Sequence, residues 1–133
     1  PKGRLSIPSR YREELAARGI TTLVLSEGDH CVWAFPLDAW EQLEERLRLH
    51  PQLSPERRSV VRVMVASARE CPVDRAGRTL VPPELREFAG LKKDVVIAGM
   101  LESFEIWSCE RWIDMSSTTV DIRPIRAIHG STR

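Results

Sequence analysis

Two copies of one dipeptide carry the chemistry of this chain. Gly3-Arg4 and Gly77-Arg78 each stand at the mouth of a short alternating run, Leu5-Ser6-Ile7 and Thr79-Leu80-Val81. An arginine guanidinium is a planar, permanently charged fork. It can meet two acceptors at once, on a phosphate or on the O6 and N7 edge of a guanine. A glycine before it lets the backbone turn at positive φ or approach a ligand closely. The first twelve residues also hold Lys2, Arg10 and Arg12 with no acid among them, Glu13 and Glu14 following only afterwards. A positive strand and helix tip is a cradle for phosphate, to which helix N–H groups add donors. Asp74, four residues before Arg78, is placed to accept backbone N–H groups and shape the loop with Gly77. The residues leave open whether it also touches Arg78, where a permanent ion pair would compete with an anionic ligand.

The elements that position these residues recur with them. Gly3-Arg4-Leu5-Ser6-Ile7-Pro8 returns as Gly77-Arg78-Thr79-Leu80-Val81-Pro82, and Arg12-Glu13 as Arg86-Glu87. Val32-Trp33 matches Ile106-Trp107 at the same spacing of 74 residues. A repeat this long means two copies of one supersecondary unit that pack on each other and complete one core. Each copy reads as strand, proline, short helix, glycine and hairpin. In the first, Ser9 is the expected N-cap of a helix over 10–18, Gly19 follows it, and 21–25 and 31–35 are strands about a turn at 26–29. In the second, Pro83 opens a helix that ends before Gly90, and 95–98 and 104–107 form the hairpin. Between the copies, 36–49 is an amphipathic helix, and Ser54-Pro55 caps another with Val60, Val61, Met64, Val65 and Ala68 on one side and Arg57, Arg58 and Arg62 on the other. The predicted division is 1–35 for the first unit, 36–70 for a linking helical hairpin, 71–113 for the second unit and 114–133 for a tail, native or vector-derived.

Composition narrows the function classes. The 133 residues are 42% hydrophobic and 29% charged, with net charge +1, so a core can form and a polycation that coats nucleic acid by charge alone is excluded. A locally basic face balanced by acidic helices remains open. No apolar run reaches the ~18 residues of a membrane span. Pro1 is not an initiator residue, so the start reads as clipped. Cys31, Cys71 and Cys109 are an odd set without C-x-x-C and read as reduced apolar residues of a cytosolic protein. His30, His50 and His129 lie apart, and no nucleophile–base pair is evident, so neither a metal site, a cofactor nor an enzyme is expected. Trp33, Trp40, Trp107 and Trp112 read as core or subunit-packing aromatics.

Several stretches together are specific enough to name a family. Residues 2–12, Phe35-Pro36-Leu37-Asp38-Ala39-Trp40, Ala68-Arg69-Glu70-Cys71, Asp74-Arg75-Ala76-Gly77-Arg78, Leu85 to Leu91 and Phe104-Glu105-Ile106-Trp107 resemble MraZ, a bacterial regulator encoded at the head of the division and cell-wall gene cluster. The resemblance runs from residue 1 to about 113. It implies an α+β, β-rich fold in which two AbrB-like units form a swapped-hairpin β-barrel with a peripheral helical hairpin. It implies rings of about eight or more subunits that bind tandem direct repeats of double-stranded DNA in a promoter, in the cytoplasm at the nucleoid, repressing the protein's own operon. The family motif is D-x-x-x-R, once per unit, with the arginine as DNA contact. Asp74 and Arg78 complete the second copy; in the first, Arg4 is present and the aspartate position precedes Pro1. The implied DNA-binding set is therefore Lys2, Gly3, Arg4 and Arg78, with Arg10 and Arg12 as accessory candidates. Two other readings stay open. One is a structural ring or interaction module without a DNA role, and the other is an AbrB-type antitoxin.

Overall fold

The computed structural model describes residues 3–49, 54–118 and 129–131. The order is β1 (Arg4–Ser6), α1 (Ser9–Ala17), β2 (Thr22–Glu27), β3 (Val32–Pro36), α2 (Leu37–Leu49), α3 (Pro55–Ser67) and β4 (Arg69–Pro72). Then come β5 (Arg78–Leu80), α4 (Pro83–Ala89), β6 (Asp94–Gly99), β7 (Phe104–Ser108), α5 (Cys109–Thr118) and β8 (His129–Ser131). The α+β class stands. The strands form two sheets instead of one closed barrel: a β1-β5 ribbon and a six-stranded antiparallel sheet ordered β4-β2-β3-β7-β6-β8. Closure is lacking because β4 and β8 stand at opposite edges without pairing each other. A single bridge, Val73 to Thr79, ties the end of β4 toward the ribbon.

The two halves interlock through a local two-fold relation. In the ribbon, Arg4 faces Leu80, Leu5 faces Thr79 and Ser6 faces Arg78. Exchanging residues 74 apart maps this set of pairs onto itself. In the large sheet the central pair is Trp33 with Glu105, flanked by Val32–Ile106 and Ala34–Phe104. There the exchange works only at a spacing of 72, the spacing that also separates Leu37 from Cys109, where α2 and α5 begin. The match of Val32-Trp33 with Ile106-Trp107 is therefore not the structural correspondence. The second unit is shorter because α4 has seven residues against nine in α1. A slip of two residues keeps every side chain on its own face of a strand, so the apolar pattern fits at either spacing. Glu105 marks the centre: its Oε2 accepts from Trp33 Nε1–H at 3.1 Å and its Oε1 from Trp107 Nε1–H at 2.9 Å.

The main core lies between the ribbon, α1, α4 and one face of the large sheet, with Leu5, Ile7, Leu23, Leu25, Ile97 and Ile106 buried in it. Val24 points the other way, onto Trp40 and Met64 of α2 and α3. β2 is covered on both faces, which explains its unbroken apolar run. Local boundaries differ from expectation in several places. Pro8, not Ser9, is the N-cap of α1, and it makes no side-chain capping bond. β2 continues through Ser26 and Glu27, confining the turn to residues 28–31, where His30 adopts φ +68°. Val60 and Val65 are about half exposed, so only part of the apolar side of α3 is buried. α5 continues to Thr118, and β8 pairs with β6, so part of the stretch read as a tail has regular structure. No helix among the described residues is long and apolar enough to cross a membrane.

Candidate nucleic-acid interface

The ribbon brings Arg4 and Arg78 together from opposite ends of the chain. Alternation along each strand buries Leu5 and Thr79 and turns Arg4, Ser6, Arg78 and Leu80 outward. Because Arg4 sits opposite Leu80 and Arg78 opposite Ser6, the two arginines are diagonal neighbours on one face. Diagonal neighbours in such a ribbon are about 7–8 Å apart at the backbone. Both side chains are about two-fifths exposed, at 40% and 38%. Main-chain bonds lock the ends of the ribbon: Ile7 N–H donates to Gly77 O at 2.8 Å, and Val81 N–H to Gly3 O at 2.8 Å.

Asp74 shapes the loop before β5. Its Oδ1 accepts the backbone N–H of Arg78 at 2.9 Å. Its own N–H donates to Arg78 O at 2.8 Å, and its carbonyl accepts from Gly77 N–H at 2.9 Å. It also touches Arg78, which the residues alone left undecided, and Arg4 as well. Oδ2 lies 3.3 Å from Arg4 Nη1 and 3.8 Å from Arg78 Nε. Donation from the Arg78 and Ala76 backbone N–H groups, with the two guanidiniums beside it, holds the Asp74 carboxyl below its usual pKa.

The two glycines serve the same two-fold design. Gly3 and Gly77 have φ of +84° and +78°. A Cβ on Gly3 would stand 2.8 Å from the Arg86 guanidinium carbon, and one on Gly77 would collide with Arg12. Each arginine comes from the helix of the other half. Arg12 Nη1–H donates to Ala76 O at 3.3 Å, and Arg86 Nε–H donates to Val81 O at 3.0 Å. Arg12 thus clamps the loop that presents Arg78. Arg86 was not singled out from the sequence, although its repetition of Arg12 is the signal that finds it. Arg75, exposed in the same loop, was also passed over. Arg10 lies elsewhere: its Nη2–H donates to Tyr11 Oη at 3.0 Å, beside Gly99 of β6, and its guanidinium lies 4.9 Å from the Tyr11 ring centroid. Lys2 falls outside the described residues.

The family model described as "MraZ protein, putative antitoxin-like" matches residues 1–63 and again 64–123. The chain is 47% identical over 120 residues to the transcriptional regulator MraZ of Desulfitobacterium hafniense strain Y51, covering 90% of this chain and 82% of that protein. The chain belongs to the MraZ family. Proteins of the same name in Syntrophobacter fumaroxidans and Nitrosomonas europaea are 43% and 41% identical, covering 84% and 90% of this chain and 74% and 84% of theirs. The two matched segments of the MraZ model divide the chain between the copies of the Gly-Arg dipeptide. Burial raises the Cys71 thiol to about 11 and also pushes Cys31 well above its usual value. At neutral pH both are thiols, not the thiolates that a cysteine nucleophile requires.

Proposed function

We propose that the chain is a DNA-binding transcriptional regulator that reads tandem direct repeats in a promoter as a ring of copies and represses its own operon, in the cytoplasm at the nucleoid. The observation that carries this is the diagonal pair Arg4 and Arg78 on the outer face of an exposed two-stranded ribbon. Such a ribbon is slim enough for the major groove, where arginine forks pair with guanine O6 and N7. The names of the family relatives support the same reading.

One subunit offers few contacts. A ring would bring a second ribbon to the next repeat and raise avidity by ~10²–10⁴. Candidate surfaces for subunit contact are the exposed valines of α3, Val60 and Val63, and the β6–β7 turn with Met100 and Leu101. A groove of about 600 Å³ beside α3, walled by Trp33 and Gly28, offers a seat for such a side chain. Within this reading, 1–35 and 71–113 are the two DNA-facing units, and 36–70 forms the peripheral hairpin. Two units and an intervening helix pair in one chain favour a ring regulator over an AbrB-type antitoxin with one unit and a toxin-binding tail.

The test is binding to the promoter fragment upstream of the chain's own operon, against scrambled DNA, over a range of salt. Arg4→Ala should cost ~1–3 kcal/mol on the promoter fragment, with little change on scrambled DNA. Equal binding to both DNAs by wild type and variant alike would remove the DNA role and leave a structural ring.

A further inference from the structure

We propose that Asp74 is a shared counter-ion for Arg4 and Arg78 that makes the ribbon favour neutral base edges over phosphates. This goes beyond loop shaping and rests on the DNA-binding reading above. The Asp74 carboxylate divides its work. Oδ1 is taken by the Arg78 backbone N–H at 2.9 Å, which fixes the group to the loop. Oδ2 faces two guanidiniums, at 3.3 Å from Arg4 Nη1 and 3.8 Å from Arg78 Nε. The Asp74 carboxylate thus faces both cations. The second contact is too long for a hydrogen bond, and Arg78 Nε is shut from water without a hydrogen-bond partner among the described residues. The pair is held on one face of the ribbon with its forks incompletely filled.

Two kinds of DNA atom can complete those forks. A phosphate oxygen carries charge and is repelled by the Asp74 carboxylate beside it. Guanine O6 and N7 are neutral acceptors and can pair with the exposed parts of the two guanidiniums while the carboxylate stays. Asp74 therefore weakens random backbone contact more than base contact. Discrimination is gained by penalising the wrong ligand rather than by strengthening the right one.

The experiment compares wild type with Asp74→Asn on the promoter fragment and on scrambled DNA of equal composition. Asparagine can keep the Oδ1 acceptor for the Arg78 N–H, while its amino group removes both the charge and the acceptor that Arg4 Nη1–H reaches. Scrambled DNA should gain affinity about three- to tenfold more than the promoter fragment does, and its slope of log K against log salt should steepen by about one. An unchanged ratio would overturn the proposal. So would equal weakening on both DNAs with a lower Tm, which would leave Asp74 as a loop residue only. In wild type, the Arg78 Nε–H resonance should move when promoter DNA is added and stay in place with scrambled DNA; equal movement with both also overturns it. If wild type does not distinguish the two DNAs at all, the DNA-binding reading itself has failed, which is a different result from a preserved ratio.

Discussion

Among single residues, the glycines separate two costs that usually come together. Gly19 and Gly77 both have positive φ, +68° and +78°. Nothing lies within 4 Å of a Cβ added at Gly19, whereas at Gly77 the Arg12 side chain fills the space. Gly19→Ala should therefore cost only backbone strain, ~1 kcal/mol. Gly77→Ala must also push Arg12 off the Ala76 carbonyl and should cost about 2 kcal/mol. Thermal unfolding of both variants checks this, and equal losses would mean that the Arg12 clamp adds no stability. The same contrast shows where residues were legible. Gly3-Arg4 and Gly77-Arg78 announced themselves by repetition. The contacts of Arg12 with Ala76 and Gly77, and of Arg86 with Gly3, did not, because each joins the two halves across more than sixty residues of sequence. Nothing local to either arginine encodes that partner.

Elements were legible where caps and breakers act locally. Pro83 and Gly90 bracketed α4 at both ends. Ser54-Pro55 marked the start of α3, and Ser54 Oγ accepts the Arg57 N–H at 3.2 Å. Met64 is the one buried residue of this helix among the described residues, so tertiary packing supports it weakly. Ser54→Ala should cost about 1 kcal/mol, read as a lower urea midpoint at unchanged slope; no shift would mean the first turn is held by packing instead. β4 escaped notice because Arg69-Glu70-Cys71-Pro72 has a single buried position and no alternating run. It is a strand because β2 offers an edge, with Leu23 opposite Cys71. Pairing of that kind is decided by the partner and not by the segment's own pattern. The same limit hid the two-residue shortening of the second unit, since an even slip leaves the pattern intact.

For the molecule as a whole, a contact surface can be separated from the fold. Leu101 is fully exposed at the β6–β7 turn, and Val63 of α3 is half exposed. Leu101→Glu should leave the unfolding temperature nearly unchanged, within about ±0.5 kcal/mol for an exposed site. It should lower the mass seen by light scattering and, with it, the avidity for tandem repeats. Retained mass with undiminished binding would remove this turn from the ring contact.

The ribbon also sets an order of events during synthesis. Its strands are Arg4–Ser6 and Arg78–Leu80, so the chain must be translated through Leu80 and leave the ribosome before the pair can form. Pairings so distant in sequence are slow, because the intervening chain must be closed first. A nascent first half has an arginine but no ribbon on which to display it. The paired-arginine face therefore exists only on a chain translated past Arg78, and aborted products of the same message lack the means to compete for the same DNA.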